Sequence, residues 1–491
     1  MSLRTKTMAG MSWSLIDKVA NNLILFVIGI ILARLLSPTD YGIVGLITVF
    51  IAVSQTIVES GLSEALIRKR DCSEIDYNTM FYTNIAFGVI TFIALFAASG
   101  FIARFYNKAE LSILTKVMAI NLVINSFGLI ETAILTKTLN FKTQAKVSVI
   151  SSTSAGLIAI ILAFLGFGYW SLAVKTLLAN LTKVLMLRYY SSWRPKLQYS
   201  IDSFKDMFSF GIKLLASSLI DTIYKNVYQM VIGKSFSLAQ LGLYTRAMQF
   251  RNLPATNITS TVQRVSYPVL ASLSHDVGRV RNGYKKLIRL TFYLTSLAML
   301  GLLICSKEVV ILLVGQKWAE AIPFLQIMCL SGCLYPLHAL NLNMMKAMDK
   351  PNLCLRVSIY KKLLAIPVII IGVRLGMLAL VWGMALNSFS SFLINSMFSE
   401  KIIGYSSWKQ LGDILPALLE NGSVMIVAYL AGTFLTSNLF ASLAIKIVVA
   451  LILVIALGEF GKLSDYKEIK KLLLEQLSKT RFRSYLRINN S

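Results

Sequence analysis

The chain reads as an all-α integral membrane protein of about fourteen transmembrane helices, each near the ~20 residues that cross a bilayer. Three observations predict this class. Apolar stretches follow one another from Met11 to Leu457, hydrophobic residues fill 56% of the 491 positions, and no gap could hold a soluble domain. Function is therefore expected inside the membrane, in helix-lined cavities.

Charge supports the same class. Lys and Arg number 49 against 23 Asp and Glu, a formal charge of +26. In a soluble protein that excess would point to nucleic acid; in a membrane protein it first reports topology. The cations gather in alternate loops: Arg68, Lys69 and Arg70; Arg194 and Lys196; Arg279, Arg281, Lys285 and Lys286; Lys361 and Lys362; and a tail from Lys462 to Arg487. Few flank the other loops (Arg34, Arg104, Lys108, Lys234, Lys307, Lys317 and Arg374). The bias places both termini in the cytoplasm and leaves no nucleic-acid partner to invoke. No signal-peptide cleavage pattern follows the first apolar run. The five cysteines, including Cys329 and Cys333 one turn apart, read as small apolar packing residues.

Along the chain, six spans fill residues 1–200, the N-terminal lobe. The polar, proline-bearing segment Trp193-Arg-Pro-Lys-Leu-Gln-Tyr-Ser200 reads as a linker, and six more spans fill residues 201–405, the C-terminal lobe. A weak repeat supports the division. Ser37-Pro-Thr-Asp-Tyr-Gly42 joins the first two spans, and Ser237-Leu-Ala-Gln-Leu-Gly242 joins the seventh and eighth, 200 residues later. Six spans per half make this a parallel repeat, as in transporters built of two pseudo-symmetric lobes. Residues 406–460 add a helix pair. Residues 461–491 form a basic tail whose Tyr466, Ile469, Leu472, Leu473 and Leu477, set among lysines, predict an amphipathic helix on the anionic inner leaflet.

Ionisable residues within spans cost at least ~2.5–3.5 kcal/mol each, so they are expected to face water or a partner. On the eighth span Arg246, Asn257 and Arg264 fall at nearly one helical angle, beside Phe250 and Thr261. The seventh carries Ser218, Asp221, Thr222, Lys225 and Gln229, with Asp221 and Lys225 spaced to neutralise one another. The first carries Asp17, Lys18 and Asn21; the second Gln55, Glu59 and, nearer the cytoplasm, Glu64; the sixth Lys175, Asn180 and Lys183. The stripes concentrate on corresponding pairs of spans, which implies a central cavity between the lobes. Each has a plainer reading. Lys18, Lys183 and Lys213 lie near inner ends, where lysines snorkel to headgroups, and Asp221 with Lys225 could be structural. The expected substrate-binding set is Lys18, Asn21, Lys175, Lys225, Gln229, Arg246, Asn257 and Arg264. Glu59 and Asp221 are the candidates for ion coupling.

A net-cationic cavity favours an anionic cargo, and forked, always-protonated guanidinium groups suit phosphate oxygens. The residues alone thus reach a transporter of an anionic amphiphile. They also argue against an enzyme. Gly233-Lys-Ser lacks the upstream glycine of a phosphate-binding loop, no Asp-x-Asp pair is present, and only His275 and His338 are available for acid–base chemistry. Neither a metal site nor a cofactor is expected.

The segment Leu32-Ala-Arg-Leu-Leu-Ser-Pro-Thr-Asp-Tyr-Gly42 followed by Ser60-Gly-Leu-Ser-Glu-Ala-Leu-Ile-Arg-Lys69 resembles the opening of bacterial Wzx-type polysaccharide flippases, exporters of O-antigen, exopolysaccharide and teichuronic acid. Gly166-Phe-Gly-Tyr-Trp-Ser-Leu-Ala173, Trp193-Arg-Pro-Lys196, Leu241-Gly-Leu-Tyr244 and Arg251-Asn-Leu-Pro254 continue the similarity. The resemblance implies the multidrug/oligosaccharidyl-lipid/polysaccharide superfamily fold and a place in the bacterial cytoplasmic membrane. It implies an undecaprenyl-pyrophosphate-linked oligosaccharide as cargo, lumenal cations to hold it, and polymerase or export machinery as partners. It leaves H⁺ or Na⁺ open as coupling ion. The extra helix pair resembles longer members such as the lipid II flippase. Two other readings stay open: a cation-coupled drug or metabolite exporter, which would favour buried carboxylates, and a membrane glycan polymerase or ligase, which would need a larger outer loop.

Overall fold

A computed structural model describes residues 20–59, 61–69, 71–460, 465–471 and 474; Asp17 and Lys18 lie outside them. The described chain is helical throughout, in agreement with the predicted class. It divides into two compact units, Met1–Thr245 and Arg246–Ser491.

The first unit contains α1 (Ala20–Leu35), α2 (Pro38–Glu59), α3 (Leu62–Arg68), α4 (Glu74–Tyr106), α5 (Glu110–Ser126), α6 (Leu129–Lys137), α7 (Phe141–Phe164), α8 (Tyr169–Tyr190) and α9 (Ile201–Ser235). It also holds the first turns of α10 (Leu238–Ser272). Consecutive helices α4 with α5 and α7 with α8 pack as antiparallel pairs, and α9 returns to lie on α2, α3 and α4. Polar termini punctuate the helices. Ser73 and Asp76 form a reciprocal capping box at the start of α4, satisfying backbone N–H groups that no helical turn can reach. The segment before α9 is irregular, as its composition predicts, and is pinned to α4. The Lys196 N–H donates to Asn78 Oδ1 at 2.9 Å, the Ser200 N–H to Thr79 Oγ1 at 3.0 Å, and Trp193 packs edge-on against Phe81.

The repeated hexapeptide has a structural counterpart. Ser37 caps α2 by exchanging hydrogen bonds with Asp40, and Ser237 caps α10 by the same exchange with Gln240. The two turns also meet. A Cβ on Gly42 would lie 1.9 Å from the Leu238 carbonyl oxygen, and one on Gly242 would lie 1.8 Å from the Pro38 carbonyl oxygen. Only glycine permits two backbones to cross so closely.

The second unit holds the rest of α10 and α11 (Val277–Ile304), α12 (Ser306–Val314), α13 (Ala321–Gly332), α14 (Tyr335–Ala347), α15 (Pro351–Leu375), α16 (Met377–Ile403), α17 (Ser407–Phe434) and α18 (Leu439–Phe460). Here α15 and α16 pair, α16 lies on α13 and α14, and α17 bridges α11 and α18. Buried amides and hydroxyls stitch the helices together. The Tyr284 hydroxyl donates to Asn341 Oδ1 at 2.6 Å, Ser399 Oγ donates to the same oxygen at 2.7 Å, and Asn421 Nδ2 donates to Ser296 Oγ at 2.8 Å. His338 is hydrogen-bonded to both Asn395 and Ser388. Cys329 and Cys333 are buried, the Cys333 thiol facing the Cys329 carbonyl.

Ten helices among the described residues are long and apolar enough to cross a bilayer, eleven if α5 and α6, bent by 41° at their junction, make one span. The chain is a multi-pass membrane protein, but this count falls short of the expected fourteen. Three helices fall outside the count. Only sixteen residues of α1 are described. The long helices α10 and α15 carry Arg246, Arg251 and Arg264, and Arg356, Lys361, Lys362 and Arg374, which lower their apolarity.

The tail is described in part. Residues 465–471 are helical, and acidic side chains tie them to the unit. Asp465 pairs with Arg289 at 2.7 Å, Glu468 pairs with Lys286, and the Tyr466 hydroxyl donates to Glu459 at 3.2 Å. The described part of the tail is thus docked on α11 and α18. Leu472, Leu473 and Leu477, which would complete its apolar face, lie outside the described residues.

Candidate functional site

Polar side chains of the first unit fall into two groups. Some fasten helices to one another. Asn21 on α1 accepts from Ser152 Oγ of α7 at 2.7 Å. Gln229 on α9 donates through Nε2 to the Gly45 carbonyl of α2 at 2.8 Å, one turn from the glycine crossing. Thr56 and Thr222 share a hydrogen bond of 3.1 Å between α2 and α9. Asn180 Nδ2 donates to Asn121 Oδ1 at 3.0 Å. Asn21 and Gln229, expected to bind substrate, therefore spend hydrogen bonds on helix packing. Lys175 is half-buried and engaged.

Others point outward. Lys225 and Glu59 are exposed, and Glu59 accepts from Gln55 Nε2 at 3.1 Å. The Glu59 charge also acts on the Lys183 ammonium of α8. Asp221 is exposed and engaged, yet Lys225 makes no hydrogen bond or ion pair with any described residue. The expected Asp221–Lys225 neutralisation is thus not made. Side chains four apart on a helix are neighbours, but proximity alone does not hold two long side chains together.

In the second unit the ladder of α10 is split by depth. Arg246 is only 5% exposed. Its guanidinium donates to Gln249 Oε1 at 2.8 Å and lies over the Phe250 and Trp318 rings, 5.1 and 5.9 Å from their centroids. Asn257 and Arg264, at the same helical angle, are exposed. Asn257 Nδ2 donates to the Leu253 carbonyl one turn back, beside Pro254. Arg264 has no hydrogen-bond or ion-pair partner among the described residues. The opposite side of α10 is fastened: Asn343 Nδ2 reaches Ser266 Oγ at 2.8 Å and the Gln263 carbonyl at 3.2 Å. A helix anchored on one side and bearing an unneutralised guanidinium on the other can hold an anion without rearranging its backbone.

Sequence reasoning passed over two further groups. Arg251, quoted only within a motif, is half-buried over the Tyr335 ring at 4.7 Å and donates to Asn252 Oδ1 at 3.0 Å. Lys446 on α18 and Glu308 on α12 form an ion pair of 2.6 Å, each almost wholly buried. Ser442 Oγ donates to the same carboxylate at 3.0 Å, and Lys446 also reaches the Ile304 carbonyl at 3.0 Å. Lys446, the single charge between Leu439 and Gly458, was the available signal, whereas Glu308 stands beside Lys307 at a helix start.

Fold and side chains define a multi-pass helical membrane protein with cations on its helices, and the comparisons specify which kind. A family model described as polysaccharide biosynthesis protein matches residues 31–323, more than half the chain, and the chain belongs to that family. It is 27% identical over 456 residues to the lipopolysaccharide biosynthesis protein WzxC of Escherichia coli K12, covering 89% of this chain and 90% of that protein. It is 26% identical to the teichuronic acid biosynthesis protein TuaB of Bacillus subtilis 168, covering 87% and 89%. The succinoglycan biosynthesis transport protein ExoT of Rhizobium meliloti 1021 is 27% identical over 66% of each chain. Among solved structures the lipid II flippase MurJ in an inward closed conformation superposes with a TM-score of 0.70 at 16% identity, covering 90% of this chain and 97% of that one. An inward-facing multidrug resistance MATE family transporter gives 0.60 at 17% identity, covering 78% and 94%. The fold is therefore the MurJ/MATE one, and the resemblance to Wzx-type proteins holds. ExoT is by its name a transport protein, MurJ a flippase and the MATE protein a transporter, and the chain is a membrane protein of polysaccharide biosynthesis related to WzxC, TuaB and ExoT.

Proposed function

We propose that this protein is a flippase that carries an oligosaccharide repeat unit, linked to undecaprenyl pyrophosphate, across the bacterial cytoplasmic membrane by alternating access. The observation that carries the reading is the pair of exposed, unneutralised cations Lys225 and Arg264 on long helices of a polysaccharide-biosynthesis membrane protein. An uncompensated charge at membrane depth is costly and is retained where a ligand supplies the countercharge. A pyrophosphate is such a ligand, and Asn257 offers amide groups nearby on α10 for sugar hydroxyls.

In this reading α1, α10 and α15 complete a set of about fourteen spans, too polar or too little described to pass on composition alone. The lobes are residues 1–200 and 201–405, and the last two helices extend them; Lys18, expected in the same substrate-binding set, lies outside the described residues. The basic loops lie inside, so both termini are cytoplasmic. The headgroup enters against Arg264 and Lys225 while the lipid stays in the bilayer, and rocking of the lobes passes it outward past Arg246. Glu59 and Asp221, both exposed carboxylates, are the groups available to couple H⁺ or Na⁺. Polymerase and export proteins are the partners the reading expects.

The test is mass spectrometry of undecaprenyl-linked glycans in cells depleted of the protein, with and without a complementing copy. A single lipid-linked oligosaccharide accumulates on the cytoplasmic side and disappears on complementation. An unchanged glycolipid pool in a strain with no second flippase would overturn the assignment.

A further inference from the structure

A cleft of about 410 Å³ lies in the first unit where α3 meets α9. It is lined by Ala65, Arg68 and Lys69 on one side and by Asp206, Met207, Ser209, Phe210 and Lys213 on the other. Its volume is within the range of small-ligand sites. Neither wall is accidental. Gly61, at φ +66°, brings the chain back onto α9 so closely that a Cβ there would stand 2.8 Å from the Gly211 carbonyl oxygen. The residues of α9 that line the cleft recur at helical spacing, so one face of that helix forms the wall.

The floor and rim differ in chemistry. Ala65 and Met207 are buried and form an apolar floor. Above them stand three cations against one carboxylate. Lys69 is already committed: it pairs at 2.9 Å with the buried Asp76, which also accepts from Ser203 Oγ at 2.8 Å. That bond lifts the Lys69 ammonium above its ordinary range, so it stays charged and stays where it is. Arg68 is stacked on the Phe210 ring, 4.4 Å from its centroid. Stacking holds the guanidinium plane and leaves its N–H edge for an oxyanion. Neither Arg68 nor Lys213 forms a hydrogen bond or ion pair with a described residue. With Lys69 balanced by Asp76, these two cations face Asp206 alone, an excess of one positive charge.

We propose that this cleft binds a phosphodiester headgroup, Arg68 and Lys213 holding its oxygens from the α3 and α9 sides over the apolar floor. A phosphodiester carries one negative charge, the complement of the cleft's excess. The chemistry is shared by an anionic glycerophospholipid and by a soluble phosphate ester; the buried apolar floor favours the lipid. Basic pockets between membrane helices take anionic headgroups in the same manner, each cation near the surface contributing about 1 kcal/mol at an anionic leaflet. Neither Lys225 nor Arg264 is among the residues that line it. Only its assignment to the cytoplasmic leaflet rests on the transport reading.

The experiment uses the purified full-length protein in detergent, titrated by native mass spectrometry with phosphatidylglycerol, phosphatidylcholine or glycerophosphoglycerol, the soluble phosphodiester left when phosphatidylglycerol loses its acyl chains. Phosphatidylglycerol binds, phosphatidylcholine does not compete, and Arg68→Gln and Lys213→Gln each weaken the binding about tenfold, the worth of one charge-assisted hydrogen bond. Arg68→Lys, which keeps the charge and loses the fork, falls between. Glycerophosphoglycerol binding as tightly as the lipid, with the same loss in both variants, would confirm the phosphodiester site and assign it to soluble esters. Equal phosphatidylglycerol binding by wild type and the Arg68→Gln/Lys213→Gln variant would overturn the proposal. Lys213→Gln changes an exposed side chain, and its thermal melting curve separates lost binding from lost fold. The assay contains no glycan and reads no transport, so its failure leaves the flippase assignment standing, and the converse holds equally.

Discussion

Two regions of the molecule handle charge at membrane depth in opposite ways. Between α12 and α18, Lys446 is buried and answered by Glu308 at 2.6 Å, by the Ile304 carbonyl, and by the Tyr429 ring 4.8 Å away. On α9 and α10, Lys225 and Arg264 are exposed and answered by no described residue. By insertion cost the three look alike, since each is a cation in a membrane helix. The partner separates them. A cation that brings its own countercharge is part of the fold, and one that lacks it is waiting for water or a ligand.

Breaking the answered pair tests the comparison most severely. Removing one member of a buried ion pair costs about 3–5 kcal/mol because the other stays buried and uncompensated, whereas replacing both by apolar residues is often neutral. Lys446→Met alone is expected to abolish the monodisperse peak in detergent size exclusion or to lower the melting temperature sharply. Lys446→Met with Glu308→Leu is expected to restore most of the loss. If the single variant melts like wild type, the pair is not structural and Lys446 belongs with the functional cations.

Substitution of the unanswered cations sharpens the other side. Arg264→Ala and Lys225→Ala each remove a charge-assisted contact to the proposed pyrophosphate, so transport falls about tenfold or more for each. Melting temperature changes little, because no described residue depends on either side chain. Arg264→Lys keeps charge without the fork and lies between. Transport at wild-type rate in a normally folded double alanine variant would remove both residues from the cargo path.

The sequence made the helical class, the irregular segment at 193–200 and the repeated turn legible, because each rests on local signals: apolar length, proline and polar composition, and a serine cap. The Ser37 and Ser237 caps were visible as matching letters, and their glycines were seen to correspond. That Gly42 and Gly242 press against each other's helix could not be read, since it depends on packing between segments remote in sequence. The same limit hid the Lys446–Glu308 pair, whose members are 138 residues apart. It also hid the split on α10. Periodicity places Arg246 and Arg264 on one face, but Trp318, from a separate segment, covers only the first. The sequence reading counts α10 as its eighth span, whereas the arginines that make it a candidate site keep it out of the ten or eleven helices that are apolar enough by composition.

Gln229 is the mildest test and the most discriminating. It lies on the same stripe as Lys225, yet its amide is spent on the Gly45 carbonyl, 2.8 Å away. That carbonyl lies inside α2 and keeps its helical acceptor role, so deleting the amide strands no buried group. Gln229→Ala is therefore expected to cost about 1 kcal/mol, the net worth of one neutral hydrogen bond, and to lower transport only in proportion to the folded protein lost. Gln229→Glu puts a carboxylate against the same carbonyl and is expected to destabilise more. If Gln229→Ala instead melted normally and lost transport as Lys225→Ala does, the side chain would be handling cargo. The distinction between answered and unanswered groups would then fail for neutral residues and hold for cations alone.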